Sequence, residues 1–300
     1  MPDPLCAILG ATGHVGGVVA NKLLDLGKRV RAIGRSADRL RALGKRGAEV
    51  ALADVEDTHA LAKALQGADA AFVLVPPNLQ AMEFRAYQRR VVEALGAAVE
   101  AAGVGHLVTL SSIGADRPDR NGPVAGLHEM EQRLNRNARA SILHLRPGFF
   151  MENSLMSIGM IKGLGKNGSA TRGDLKLPIV ATRDIGEVAA RRLSTRDFQG
   201  KSVLDLMGPR DITMAELTSA LGAAVGKPGL EYVQFPYEDA RAGLVQAGVP
   251  AEMAGLYVEL SRGFNEGAVK PTQPRSPATT TPTSIEVFAK EVFAPAYRAS

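Results

Sequence analysis

The first 150 residues alternate between two hydrophobic rhythms. Short apolar runs at Leu5–Leu9, Arg29–Ile33, Ala48–Leu52, Ala70–Val75, His106–Leu110 and Ser141–Leu145 are too brief for helices and read as strands. The run Ala70-Ala-Phe-Val-Leu-Val75 contains no polar residue, as expected of a parallel strand covered on both faces. Between the runs, apolar positions recur every three or four residues. Val18, Val19, Leu23 and Leu24 mark one helix, and Ala60 to Leu65 a second that Gly67 ends. Phe84, Tyr87, Val91, Leu95, Ala98 and Ala102 form the inner stripe of a long helix predicted over Leu79–Ala102, with Gly103 and Gly105 closing it. Val124–Asn137 predicts another. Strands and helices taken in turn predict an α/β protein with a Rossmann-type doubly wound parallel sheet.

After residue 150 the rhythm changes. Gly159 to Gly173 is rich in glycine and lysine and reads as a mobile loop. Thr182 is placed to cap a helix carrying Ile185, Val188, Ala189 and Leu193, and Ser202–Met207 reads as a last sheet strand. Thr213-Met-Ala-Glu216 is a capping-box pattern ahead of Leu217 and Leu221, and Thr283-Ser-Ile-Glu286 has the same form before a short C-terminal helix. Lys270 to Thr283, full of proline and threonine, reads as a surface loop. The predicted layout is a cofactor-binding domain over 1–150, with return segments at about 180–207, and a smaller α+β cap over 151–300. A cleft between them would take a small-molecule substrate.

Composition narrows the class. Hydrophobic residues make up 45% and charged residues 22%, ordinary for a folded soluble chain. No apolar run approaches the roughly 20 residues needed to cross a bilayer, and Met1-Pro-Asp-Pro has no basic stretch ahead of its short apolar run, so neither membrane span nor signal peptide is expected. Cys6 is the only cysteine, so no internal disulfide can form and a cytoplasmic location is expected. The formal charge is +5, but the arginines are scattered among acids, which argues for a solvated surface rather than nucleic-acid binding.

The stretch with the clearest chemistry is Gly10-Ala11-Thr12-Gly13-His14-Val15-Gly16-Gly17, between the first strand and the first helix. Glycine permits a tight turn and the close approach of a pyrophosphate, while the unpaired N–H groups and positive dipole end of the next helix face the anion. Gly10, Thr12, Gly13, His14, Val15 and Gly16 are therefore candidate contacts for a dinucleotide. After the second strand, where an acid would bind a ribose 2′-hydroxyl, stand Arg35 and Ser36. That favours NADP(H) over NAD(H), with Arg35 pairing the 2′-phosphate and Arg39 as a second candidate one turn on. Asp54, followed by Val55, either reaches the adenine amino group or caps the next helix; both readings stand. Val75, Pro76 and Pro77 leave the carboxyl end of the central strand, where ligands sit in such sheets.

Taken together, Gly10-Ala-Thr-Gly-His-Val-Gly16, Val73-Leu-Val-Pro-Pro77, Leu110-Ser-Ser-Ile-Gly114, His128-Glu-Met-Glu131 and Leu145-Arg-Pro-Gly-Phe-Phe-Met-Glu-Asn153 resemble the NmrA-like family of atypical short-chain dehydrogenase/reductases. The likeness reaches the tail, where Pro282-Thr-Ser-Ile-Glu-Val-Phe-Ala-Lys-Glu-Val-Phe293 looks like the family's closing helix. It implies NAD(P)H binding, and either of two activities: an NADPH-dependent reductase of quinones or other conjugated or carbonyl compounds, or a redox sensor that binds the dinucleotide without turnover, as a homodimer or with a regulatory partner protein. The chain departs from the relatives in its acid. Ordinary short-chain dehydrogenases use Tyr-x-x-x-Lys, and none of Tyr87, Tyr232, Tyr237, Tyr257 and Tyr297 has lysine four residues on. Isoflavone-reductase-like relatives use a lone lysine, and no lysine lies between Lys63 and Lys162.

His128 falls in the helix where those groups would sit, and histidine, titrating near pH 6.5, can give a proton to a reduced oxygen. Ser111 and Ser112 are candidates to hydrogen-bond a substrate oxygen. Arg146 either draws in an acidic substrate or pairs with Glu131, and Phe149, Phe150 and Asn153 are candidate pocket residues. His14, His59, His106 and His144 have no metal-ligand spacing, so no metal is expected.

Overall fold

The computed structural model describes residues 3–300. In chain order, β1 (Leu5–Leu9), α1 (His14–Asp25), β2 (Arg29–Gly34), α2 (Ala37–Lys45), β3 (Glu49–Leu52), α3 (Thr58–Leu65), β4 (Ala70–Leu74), α4 (Phe84–Ala102), β5 (His106–Leu110), α5 (Ala125–Asn135) and β6 (Ser141–Pro147) make the regular first half. There follow β7 (Phe149–Phe150), α6 (Ile158–Leu164), β8 (Lys166–Ser169), β9 (Lys176–Val180), α7 (Thr182–Thr195), β10 (Lys201–Leu206), β11 (Asp211–Thr213) and α8 (Met214–Ala224). The chain closes with β12 (Glu231–Gln234), α9 (Tyr237–Gln246), α10 (Ala251–Asn265), α11 (Ile285–Phe288) and α12 (Ala294–Ala299).

Seven strands form one parallel sheet in the order β10-β6-β5-β4-β1-β2-β3. The winding reverses between β1 and β4, and the crevice at the carboxyl ends of those strands is where ligands bind in such sheets. Alternate strand residues serve two cores. Ala7, Leu9 and Val73 face Val91 and Leu95 of α4, whereas Cys6, Ile8 and Phe72 face Val19 and Leu23 of α1 with Ile185 and Ala189 of α7. A third apolar cluster is built entirely from later segments: Met151, Ile161, Ile179, Leu217, Leu221, Phe288 and Phe293.

Five expectations need correction. The long helix starts at Phe84, not Leu79. Asn78–Ala81 is a turn, and the helix begins where Glu252, from α10, accepts the amides of Phe84 (2.5 Å) and Arg85 (3.3 Å), a cap supplied from far along the chain. Gly159–Gly173 is not a loop throughout, since it contains α6 and β8. Gly165 ends α6 in the left-handed region at φ +65°, and at Gly168 a side chain would meet Val233 O at 2.5 Å, where β8 pairs with β12. Thr182 is the first residue of α7 rather than its cap; its amide and hydroxyl are taken by the Glu152 carboxylate.

Lys270–Thr283 is a strap with a structural duty rather than a free surface loop. Gln273 Oε1 accepts the Asp205 amide and Gln273 Nε2 donates to Val203 O, covering the open side of β10. Met207 exchanges backbone bonds with Thr279 and Thr281, and the Asp184 carboxylate accepts Thr283 N and Oγ1. An edge strand presents unpaired polar groups that must be covered or solvated, and the strap covers them. Because Thr283 is bound to Asp184, the last helical segment is capped instead by Ser284, whose Oγ accepts from Val287 N. The box at Thr213 and Glu216 forms as read, with both reciprocal bonds present.

Candidate active site

The β1–α1 loop is shaped for a close-lying anion. Gly10 has φ +66°, a left-handed conformation that glycine adopts at little cost. At Gly16 a Cβ would lie 2.3 Å from Gly10 O, so only hydrogen fits. Gly13 stands at the helix N-cap, gives no side-chain cap, and is followed by a first turn without acids. Among the described residues no acceptor meets the amides of Thr12, His14, Val15 or Gly16. Four free N–H groups at the positive end of a 12-residue helix match the demands of a dinucleotide's diphosphate.

The ends of β2 and β3 lie beside this cradle. Arg35 and Arg39 are exposed, and unlike Arg41 (paired with Asp38) and Arg46 (paired with Asp25) neither has a carboxylate partner among the described residues. Arg39, Thr12, Gly17, Asn21 and Arg46 line a groove of about 450 Å³ between α1 and α2. Ser36 caps α2, its Oγ accepting the Arg39 amide at 3.4 Å. Of the two readings of Asp54, the helix-capping one does not hold. Asp54 Oδ1 accepts the Glu56 amide at 2.9 Å, closing a turn through Val55, while Asp57 caps α3. Tyr87 of α4 donates to Pro76 O at 3.0 Å and so fixes the chain where it leaves β4. Burial raises the Tyr87 phenol above its ordinary value, with Glu56 and Asp54 adding to the rise and Arg35 opposing it. Val75 is buried and Pro77 exposed.

At the ends of β5 and β6 the side chains are drawn together around Glu131. Ser111 Oγ donates to Glu131 Oε1 at 2.6 Å, and Arg146 donates through Nε to Oε1 (2.9 Å) and through Nη2 to Oε2 (2.5 Å). Glu131 is 3% exposed and Arg146 8%, so the two charges are buried together, each satisfying the other. Of the two readings of Arg146, pairing with Glu131 is the one the fold builds. A second buried link lies one turn on: the Thr109 hydroxyl donates to His144 Nδ1 (2.8 Å), and His144 Nε2 donates to Asn135 Oδ1 (3.0 Å). Burial lowers the His144 pKa to about 4, so the ring is neutral here.

His128 sits in the first turn of α5, half-buried, with Nδ1 2.8 Å from Ala115 O. A carbonyl only accepts, so Nδ1 carries the hydrogen and Nε2 is left free. Ser112 donates to Ile113 O at 2.9 Å. Phe149 and Phe150 are both half-buried on β7 but pack on opposite sides, Phe149 on the core of the later segments and Phe150 on the sheet. Asn153 is exposed. One contribution from α10, the Glu252 cap, escapes a sequence reading altogether, because the spacing of α10 says nothing about which elements it lies across. Among the described residues no three His, Cys, Asp or Glu side chains gather as a metal site, and no helix is long and apolar enough to cross a membrane.

Residues 2–289 match the family model described as the NmrA-like family. The chain is 32% identical over 255 residues to the NAD(P)H azoreductase of Xenophilus azovorans, covering 84% of this chain and 85% of that protein. It is 31% identical over 261 residues to the (4-alkanoyl-5-oxo-2,5-dihydrofuran-3-yl)methyl phosphate reductase of Streptomyces griseus, covering 87% of each. Among solved structures, the NADPH-dependent quinone oxidoreductase of Escherichia coli complexed with NADPH superposes with a TM-score of 0.80 at 27% identity, over 96% of this chain and 99% of that one. With the parallel sheet, the glycine cradle and a match along nearly its full length, the chain belongs to the NmrA-like family.

Proposed function

We propose that this chain, an NAD(P)H-dependent reductase, prefers NADPH and reduces a quinone or another conjugated or carbonyl small molecule by hydride transfer. The observation that carries the reading is the cradle: four unpartnered amides at the start of α1, closed in by a glycine at which no side chain fits. Gly10, Thr12, Gly13, His14, Val15 and Gly16 hold the diphosphate. Arg35 and Ser36 meet the adenosine 2′-phosphate, for which an unpaired guanidinium is the suited group. Asp54 and Val55 line the adenine side, and Val75, Pro76 and Pro77 the nicotinamide side. Residues 1–150, with the return segments at about 180–207, form the cofactor-binding part, and the remaining segments of 151–300 the cover over the substrate.

Bound NADPH supplies the hydride. The chain's own residues bind, orient and keep water out. Arg146 and Glu131 neutralise one another and Ser111 donates to the same carboxylate, so the three hold α5 to the strand ends rather than recruit an acid. Ser112, Phe149, Phe150 and Asn153 border the acceptor. His128, its Nδ1 held by Ala115, presents Nε2 as the atom that carries a proton toward the reduced substrate. A conjugated acceptor is supported by the named activities of the azoreductase and quinone oxidoreductase relatives.

The test is NADPH oxidation by the purified protein with a panel of quinones and azo dyes. Turnover is expected, and His128→Ala should slow it by about ten-fold or more. No turnover across the panel, with tight NADP⁺ binding intact, would replace the reductase with a dinucleotide-binding regulator.

A further inference from the structure

All five tyrosines fail the Tyr-x-x-x-Lys pattern, but the fold does not treat them alike. Tyr87 donates to Pro76 O, and Tyr232 to Thr171 O at 2.7 Å. Tyr237 accepts from Asn265 Nδ2 at 2.9 Å. Tyr297 stacks on Phe293 in the cluster of later segments, with the Lys162 ammonium over its ring. Tyr257 and Tyr297 are both half-buried, and among the described residues neither hydroxyl has a hydrogen-bond partner, but Tyr297 lies with its ring in the cluster of later segments whereas Tyr257 lies on α10.

Its helix lies across the site. At its first turn Glu252 caps α4, beside the segment leaving β4. Toward its other end Leu260 and Phe264 pack on Ile113, Met207 and Val269, beside the segment leaving β5. Residues 253, 257, 260 and 264 fall on one helical stripe. Met253 is buried and Leu260 and Phe264 face the Ile113 cluster, so Tyr257, between them, is on the inward stripe. Along its flank α10 presses on the turn that leads into α5. A Cβ at Gly122 would lie 2.1 Å from Leu256 O, and His128 follows in the first turn of that helix. Tyr257 is thus carried over the ends of β4 and β5, near the residues that border the hydride acceptor.

A half-buried phenol that no protein group engages keeps its O–H free to donate to a ligand. Burial also raises its pKa, which keeps the O–H intact as a donor at neutral pH. We propose that Tyr257 is a catalytic residue whose hydroxyl meets the acceptor atom on which negative charge develops and gives that atom its proton. The assignment rests on the reductase reading and adds a second donor beside His128, approaching from α10 rather than α5. The balance is simple. The acceptor takes two electrons and one hydrogen nucleus as hydride from the bound dinucleotide and a second hydrogen nucleus from the phenol oxygen. The phenolate recovers a proton from water.

Tyr257→Phe removes one oxygen. With a quinone acceptor, kcat should fall by about ten- to a hundred-fold, while NADPH affinity and melting temperature stay as in the wild type. Wild-type turnover in the variant overturns the assignment alone. A lowered melting temperature also overturns it, because the hydroxyl would then be serving the fold. A wild-type protein that binds NADPH but reduces nothing in the panel sinks the reductase reading and Tyr257 with it, so the two failures are distinguishable.

Discussion

Replacing Gly16 with alanine tests the cradle most directly. The added Cβ would stand 2.3 Å from Gly10 O, 2.8 Å from Gly10 C and 3.2 Å from Leu9 O. Ordinary contact needs about 3.5 Å, so the start of α1 must retreat by about 1 Å. The opposing wall cannot yield. Gly10 O already accepts the Gly13 amide at 2.9 Å, and Leu9 is 2% exposed in β1. The helix is also held from behind, where Gly186 of α7 leaves no room for a Cβ against Val18. Overpacking of this kind costs about 1–3 kcal/mol of stability. Each amide drawn out of reach of a charged phosphate forfeits about 1.5–3 kcal/mol, or roughly ten- to a hundred-fold in affinity for NADPH. Gly17→Ala is the control: its Cβ would meet Ala11 O at 3.4 Å, an ordinary contact, and alanine suits the helix better than glycine. NADPH titration by fluorescence, with a melting curve for each protein, reads both quantities. If Gly16→Ala bound NADPH like the wild type, or Gly17→Ala lost as much, the cradle argument would be wrong.

Two further outcomes are expected. Arg35→Ala should weaken NADPH by about ten-fold or more while leaving NADH unchanged, since a charge-assisted bond is worth about 1.5–3 kcal/mol; equal affinities for the two dinucleotides in the wild type would contradict it. His144 gives a pH signature. Its folded pKa of about 4 lies below the unfolded value of 6.5, so as pH falls the unfolded chain takes up the proton first. Stability from this ring is complete above the unfolded pKa and is lost as pH drops toward the folded one, on the order of 3 kcal/mol in all. Denaturant unfolding between pH 7 and 4 should show that loss in the wild type and a flatter profile in His144→Asn, and identical profiles would remove His144 as the cause.

The residue order alone determined the strand–helix alternation, the first-half strand positions to within a residue or two, and the need for glycine before α1. Those features are local: side-chain period, turn chemistry and the absence of a Cβ act over a few neighbouring residues. Tertiary structure decided the rest. Glu252 sets where α4 starts from 168 residues away, Glu131 occupies Arg146 and Ser111, and Asp184 and Asp205 turn a proline-rich stretch into a strap. Tyr257 comes over the strand ends only because α10 lies across them. Charges and hydroxyls find partners by distance in space, and no short-range pattern records which distant carboxylate or amide will fold against them.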